Sequence, residues 1–217
     1  MRETVIAGIE REKVIAIVRG AGAEACRKVA DALYQGGIRL MEVTFNQKDP
    51  DSFPATAGAI AEMAKAYEGR MLVGAATVTT PELVDLTAKA GLRYIISPDV
   101  NEAVIRRTRE LGLVSLPGAM TPTEILTAHR AGADFVKVFP AGELGTGYLK
   151  AVRAPISHVK LLAVGGINER NAAGFLKAGA VGLGVGGNLA NKEWIAAGDF
   201  DKITAAARML LEAVQTA

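Results

Sequence analysis

The chain predicts a closed parallel (β/α)8 barrel preceded by an N-terminal helix, forming one domain over residues 1–217. Three observations carry that expectation. Short apolar runs rich in β-branched residues alternate eight times with longer segments of helical periodicity, the pattern of repeated βα units feeding a parallel sheet. Most of these runs close on glycine, proline or a polar side chain, as barrel strands do where they open onto a ligand face. No linker, low-complexity tract or charge block divides the sequence. Barrels of this type usually take about 250 residues, so a length of 217 calls for short loops and no inserted domain. An open, doubly wound sheet is the alternative architecture.

The elements follow in order. Arg2, Glu3, Glu10, Arg11 and Glu12 surround Val5, Ile6 and Ile9, an amphipathic helix without the continuous apolar centre of a signal peptide. Strands are expected at 14–18, 38–43, 71–74, 94–96, 113–116, 135–139, 159–164 and 181–185. Thr80-Pro81-Glu82 and Thr121-Pro122-Thr123-Glu124 each pair a capping threonine with proline at the first helical position. Asn168 is the expected cap of a helix running to Ala178. Gly36-Gly37, Gly91, Gly112, Gly132 and Gly179 stand just past helical segments, where left-handed caps belong.

Composition narrows the function classes. The 25 basic and 23 acidic residues nearly cancel and are scattered, without the basic footprint of a nucleic-acid or membrane-surface binder. Cys26 is a single cysteine and the chain has 2 histidines, so no intrachain disulfide forms and the zinc-ligand set is poor. A reducing cytoplasm fits that usage. No apolar stretch is long enough to span a bilayer.

The chemistry is expected at the C-terminal ends of the strands. Lys137 lies in the apolar run Asp134-Phe-Val-Lys-Val-Phe-Pro140, where burial disfavours its charged form and leaves an amine able to attack a carbonyl. A lysine that snorkels from an edge strand is the plainer reading. Strand parity turns Glu42 with Leu40 and Thr44, and Lys137 with Phe135 and Phe139, so both can face the interior. A carboxylate beside an amine is the minimum equipment for making and breaking an imine, although a buried ion pair could serve structure alone. Val164-Gly-Gly-Ile167 and Gly184-Val-Gly-Gly-Asn188 supply close backbone approach for a phosphate. Gly182, Gly184 and Gly187 also satisfy G-x-G-x-x-G, but no later strand remains to carry a ribose-binding acid.

Taken together, Ile15-Ala-Ile-Val-Arg-Gly20, Glu42-Val-Thr44, Gly74-Ala-Ala-Thr77, Ile96-Ser-Pro98, Leu116-Pro-Gly118, Val136-Lys-Val-Phe-Pro-Ala141, Gly165-Gly-Ile167 and Ala197-Gly-Asp-Phe200 resemble the 2-keto-3-deoxy-6-phosphogluconate/4-hydroxy-2-oxoglutarate aldolase family. The resemblance implies a class I lyase on a small barrel, trimeric, without metal or organic cofactor. It assigns the Schiff-base lysine to Lys137, the acid/base glutamate to Glu42, a pyruvate-side threonine to Thr77, the proline after the fourth strand to Pro98 and the aromatic wall to Phe139. The phosphate glycines fall on Gly165, Gly166, Gly186 and Gly187. This chain has Asn46 where the phosphogluconate enzymes place an arginine, making Arg19 the expected substitute for the carboxylate. It has Val164 in place of a threonine and Asn188 in place of a serine. Asn46 and Val164 are similar to the phosphogalactonate branch. The implied substrate is a small keto-acid phosphate, of gluconate or galactonate type, or 4-hydroxy-2-oxoglutarate. A phosphosugar isomerase or epimerase on the same barrel, and a noncatalytic sugar-phosphate binder, are the rival functions.

Overall fold

The computed structural model describes residues 2–217. Among the described residues, nine segments form one sheet: β1 (Val14–Val18), β2 (Leu40–Thr44), β3 (Leu72–Ala76), β4 (Tyr94–Ile96), β5 (Val114–Leu116), β6 (Gly118–Ala119), β7 (Val136–Val138), β8 (Leu161–Val164) and β9 (Gly182–Val185). All of their pairings are parallel. The order β5-β4-β3-β2-β1-β9-β8-β7-β6 has two halves of one strand at its ends, separated by Pro117. Proline has no N–H to give a ladder but keeps its carbonyl. That carbonyl accepts from Lys137 N at 2.9 Å, between Phe135 N to Ser115 O at 3.3 Å and Phe139 N to Ala119 O at 3.0 Å. The ladder therefore runs past the proline and the sheet closes as an eight-stranded barrel, in place of the open alternative.

Side-chain alternation divides the apolar residues into two cores. Ile15, Leu40, Tyr94, Ile96, Leu116, Phe135 and Leu162 fill the barrel interior, together with Val5, Ile6 and Ile9 from the helix Arg2–Glu12. This helix stoppers the N-terminal end of the barrel, and full burial of Ile9 contributes roughly 1.5–3 kcal/mol. Tyr94 crosses the interior and its hydroxyl donates to the Met41 carbonyl. Gly74 makes room for it, because a Cβ there would stand 2.3 Å from the tyrosine ring. The residues of opposite parity, among them Met41, Val43, Val136 and Val138, pack outward against the helices.

The helix joints follow the expected chemistry with one exception. Thr80 accepts from Leu83 N at 3.3 Å, and Thr121 forms a reciprocal capping box with Glu124. Gly37, Gly91, Gly112, Gly132 and Gly179 all take positive φ after their helices. Asn168 does not cap: its helix begins only at Ala172 and ends at Lys177. The Asn168 side chain instead accepts from Arg170 N at 2.9 Å, the local turn that asparagine makes in competition with a helix start. Among the described residues, no helix is long and apolar enough to cross a membrane.

Candidate active site

In a ring of eight strands, β2 and β7 stand four places apart, on opposite walls. The inward parity that places Leu40 and Phe135 in the interior core also sends Glu42 and Lys137 there, one turn of pleat nearer the C-terminal end. Glu42 is 2% exposed and Lys137 9%. Beneath them lie Ile15, Ile96, Leu116 and Leu162, a floor that offers neither charge any solvation. Burial pushes the Glu42 carboxyl up to about 7, against the opposing pull of Lys137 and Arg19. Burial likewise lowers the Lys137 ammonium, with Arg19 acting in the same sense and Glu42 and Asp99 opposing. Glu42 Oε2 is buried and has no hydrogen-bond partner among the described residues.

Above the pair opens a cavity of about 420 Å³. Arg19, Glu42, Thr77, Pro98, Lys137, Phe139, Gly165, Gly166, Gly186, Gly187 and Asn188 all line it, so every residue expected at the site reaches one space. The lysine's route into it depends on Gly118: a Cβ there would come within 2.4 Å of the Pro98 carbonyl oxygen and 3.0 Å of Lys137 Cε. Phe139, 42% exposed, forms a wall whose ring centroid is 5.3 Å from Lys137 Nζ.

The two glycine pairs differ in what requires them. Gly165 and Gly166 take φ of 89° and 73°, conformations open to glycine at little cost, and a Cβ on Gly165 would lie 3.0 Å from the Phe139 ring. Gly187 is different, since a Cβ there would meet nothing within 4 Å. Its side of the cavity is simply left open, with bare backbone facing it. Asn188 ties the two loops together, donating from Nδ2 to the Ile167 carbonyl at 2.7 Å.

Two groups at the site escaped the sequence reading. Lys192 lines the same cavity beside Gly187 and Asn188, an exposed lysine with no local motif to single it out. Gln47 donates to the Thr77 carbonyl at 2.7 Å, a contact between loops that no spacing reveals. The two histidines and Lys160 lie outside this cavity. His129 and His158 meet edge-on, with ring centroids 5.1 Å apart, and Lys160 pairs with Glu10 of the N-terminal helix at 2.8 Å. A larger hollow of about 570 Å³ lies at that same remote end, lined by Arg11, Arg39 and Arg70. Its Arg39 is already committed, stacked 4.1 Å from the Tyr34 ring centroid and donating to the Tyr34 and Ile38 carbonyls.

Comparison with known proteins gives a consistent answer. The profile described as "Aldolase: KDPG and KHG aldolase" matches residues 5–206. A 2-dehydro-3-deoxy-6-phosphogalactonate aldolase of Escherichia coli strain K12 is 35% identical over 177 residues, covering 81% of this chain and 83% of the relative. A 2-dehydro-3-deoxy-phosphogluconate aldolase of Treponema pallidum strain Nichols is also 35% identical, over 213 residues, covering 97% and 98%. Among solved structures, a native KDPGal structure superposes with a TM-score of 0.84 at 31% identity, covering 94% of each chain. The KDPG aldolase of Legionella pneumophila, with pyruvate captured as a covalent carbinolamine, gives 0.84 at 26% identity, covering 97% of this chain and 98% of that one. With its barrel, its opposed Glu42 and Lys137 and this extent of likeness, the chain belongs to the KDPG and KHG aldolase family.

Proposed function

We propose that residues 1–217 act as one barrel unit cleaving a phosphorylated 2-keto-3-deoxy aldonate to pyruvate and an aldehyde such as glyceraldehyde 3-phosphate, through an imine on Lys137. The observation that carries this reading is the placement of Lys137 and Glu42 on opposite walls of a desolvated interior beneath an open cavity. Neither a phosphosugar isomerase nor a passive binder forms an imine on a lysine, and borohydride trapping separates them from this reading.

Neutral Lys137 attacks the 2-keto carbon, and Glu42 relays the protons that convert the carbinolamine to an imine with loss of water. The protonated imine is the electron sink. Glu42 takes the proton of the C4 hydroxyl, the C3–C4 bond breaks, and its electron pair passes into the enamine of pyruvate as the aldehyde departs. Protonation at C3 and hydrolysis then free pyruvate and the lysine. The covalent bond divides one difficult step into easier ones. Thr77 and Arg19 hold the carboxylate end, Pro98 and Phe139 wall the keto acid, and Gly165, Gly166, Gly186, Gly187 and Asn188 take the phosphate, with Lys192 as an added cation. Asn46 and Val164 favour trying the galactonate isomer beside the gluconate one. A homotrimer in a reducing cytoplasm completes the proposal.

The test is reductive trapping. Pyruvate with borohydride is expected to leave one pyruvate-derived adduct, on Lys137, and Lys137→Ala is expected to lose both adduct and cleavage. An adduct on another lysine, or full cleavage by Lys137→Ala, overturns the reading.

A further inference from the structure

Thr77 has a φ of 59°, a left-handed conformation in which a β-branched side chain crowds its own backbone. It occupies the turn leaving β3 and lines the cavity. Strain of this kind persists only where the surroundings hold it. Here three successive carbonyls are held by side chains from three different places. Gln47 Nε2 donates to Thr77 O at 2.7 Å, Ser97 Oγ to Val78 O at 2.7 Å, and Asn101 Nδ2 to Thr79 O at 3.2 Å.

The three clamps are not equivalent. Asn101 also caps its own helix by accepting from Ala103 N at 3.1 Å, and Ser97 is buried behind the turn. Gln47 alone acts on the strained residue itself. It comes from the loop after β2, the strand that carries Glu42, and uses both ends of its carboxamide, since Oε1 accepts from Thr79 Oγ1 at 3.2 Å. The amide thus spans the turn from its first residue to its third and binds two site-bearing loops together.

We infer that Gln47 is a positioning residue: it holds the Thr77 turn left-handed so that Thr77 presents its side chain to the keto-acid end of the cavity, an inference that rests on the aldolase reading above. Gln47 touches no reacting atom. Releasing it lets Thr77 relax to ordinary backbone angles and turn away, which weakens capture of the keto acid while leaving Lys137 and Glu42 in place.

Gln47→Glu is the informative substitution. It keeps the size and the acceptor toward Thr79, but as a carboxylate it has no proton to give Thr77. In borohydride trapping, the pyruvate concentration for half-maximal labelling of Lys137 is expected to rise about tenfold, with the labelling rate at saturation and the melting temperature near those of the parent. In a Thr77→Gly background, where left-handed backbone is free of strain and no side chain is left to aim, the same substitution should have almost no effect. A half-saturation unchanged by Gln47→Glu, or an equal loss in the Thr77→Gly background, overturns the inference. A crystal structure of Gln47→Ala gives an answer independent of catalysis: Thr77 at negative φ supports the clamp, and Thr77 still near its parent angle overturns it. Failure of the parent protein to form any adduct would count against the aldolase reading instead.

Discussion

Glu42 and Lys137 attract one another's charged forms from opposite walls of the barrel, yet burial outweighs that attraction in both. The carboxyl is drawn up to about 7 and the ammonium is lowered. An acid/base group that titrates near neutrality faces an amine whose ammonium form burial disfavours, which is the direction of shift that imine chemistry needs in both partners.

Replacing Glu42 by glutamine should lower kcat/KM for cleavage by about 10²–10⁴-fold, the usual worth of a positioned base. In the parent, kcat/KM should rise with pH through about 7 as the carboxylate forms, and that limb should be missing from Glu42→Gln. Stability should move the other way. A carboxyl raised from 4.5 to about 7 in the fold contributes stability that is complete below the unfolded pKa and lost as pH rises through the folded one. Glu42→Gln should therefore match the parent near pH 4 and exceed it above neutrality, by at most about 3 kcal/mol. Melting curves across pH check this, and a gain confined to acid would refute it.

Gly118→Ala tests the channel that admits the lysine. The added methyl would press on the Pro98 carbonyl at 2.4 Å and on Lys137 Cε at 3.0 Å. Relief requires backbone movement, so a stability loss of about 1–3 kcal/mol is expected, with slower pyruvate trapping at Lys137 in the protein that remains folded. Denaturant titration and trapping kinetics measure the two effects separately, and normal trapping would show that the lysine does not depend on this glycine.

Lys192→Met removes one cation from the end of the cavity bordered by Gly186, Gly187 and Asn188. A charge-assisted contact to phosphate is worth about 1.5–3 kcal/mol, so KM for a phosphorylated substrate should rise roughly tenfold or more and become less sensitive to salt. Turnover of 4-hydroxy-2-oxoglutarate, which carries no phosphate, should be unaffected. Equal losses on both substrates would place Lys192 outside the phosphate end.

The fold was legible because its signals are local. β-branched runs, proline after a capping threonine and glycine past a helix each reflect the conformational energy of a few neighbouring residues, and those signals recover the helices beginning at Pro81 and Pro122. Where two local solutions compete they mislead, as at Asn168, whose side chain makes a turn and leaves the helix to begin at Ala172, after Asn171. Pro117 shows another limit, since a local rule breaks the fifth strand there while the neighbouring strand bonds past it to close the ring.

Sequence alone determined which residues stand at strand ends and which of them face inward, because pleat parity and the apolar pattern of each strand require nothing from the rest of the chain. The tertiary structure decided what meets across the barrel: Glu42 opposite Lys137, Gln47 on Thr77, Lys192 beside the last glycines. Those meetings depend on strand number, register and closure, which are properties of the whole sheet. The depth of burial that moves Glu42 and Lys137 toward neutrality likewise exists only once eight strands have excluded water around them.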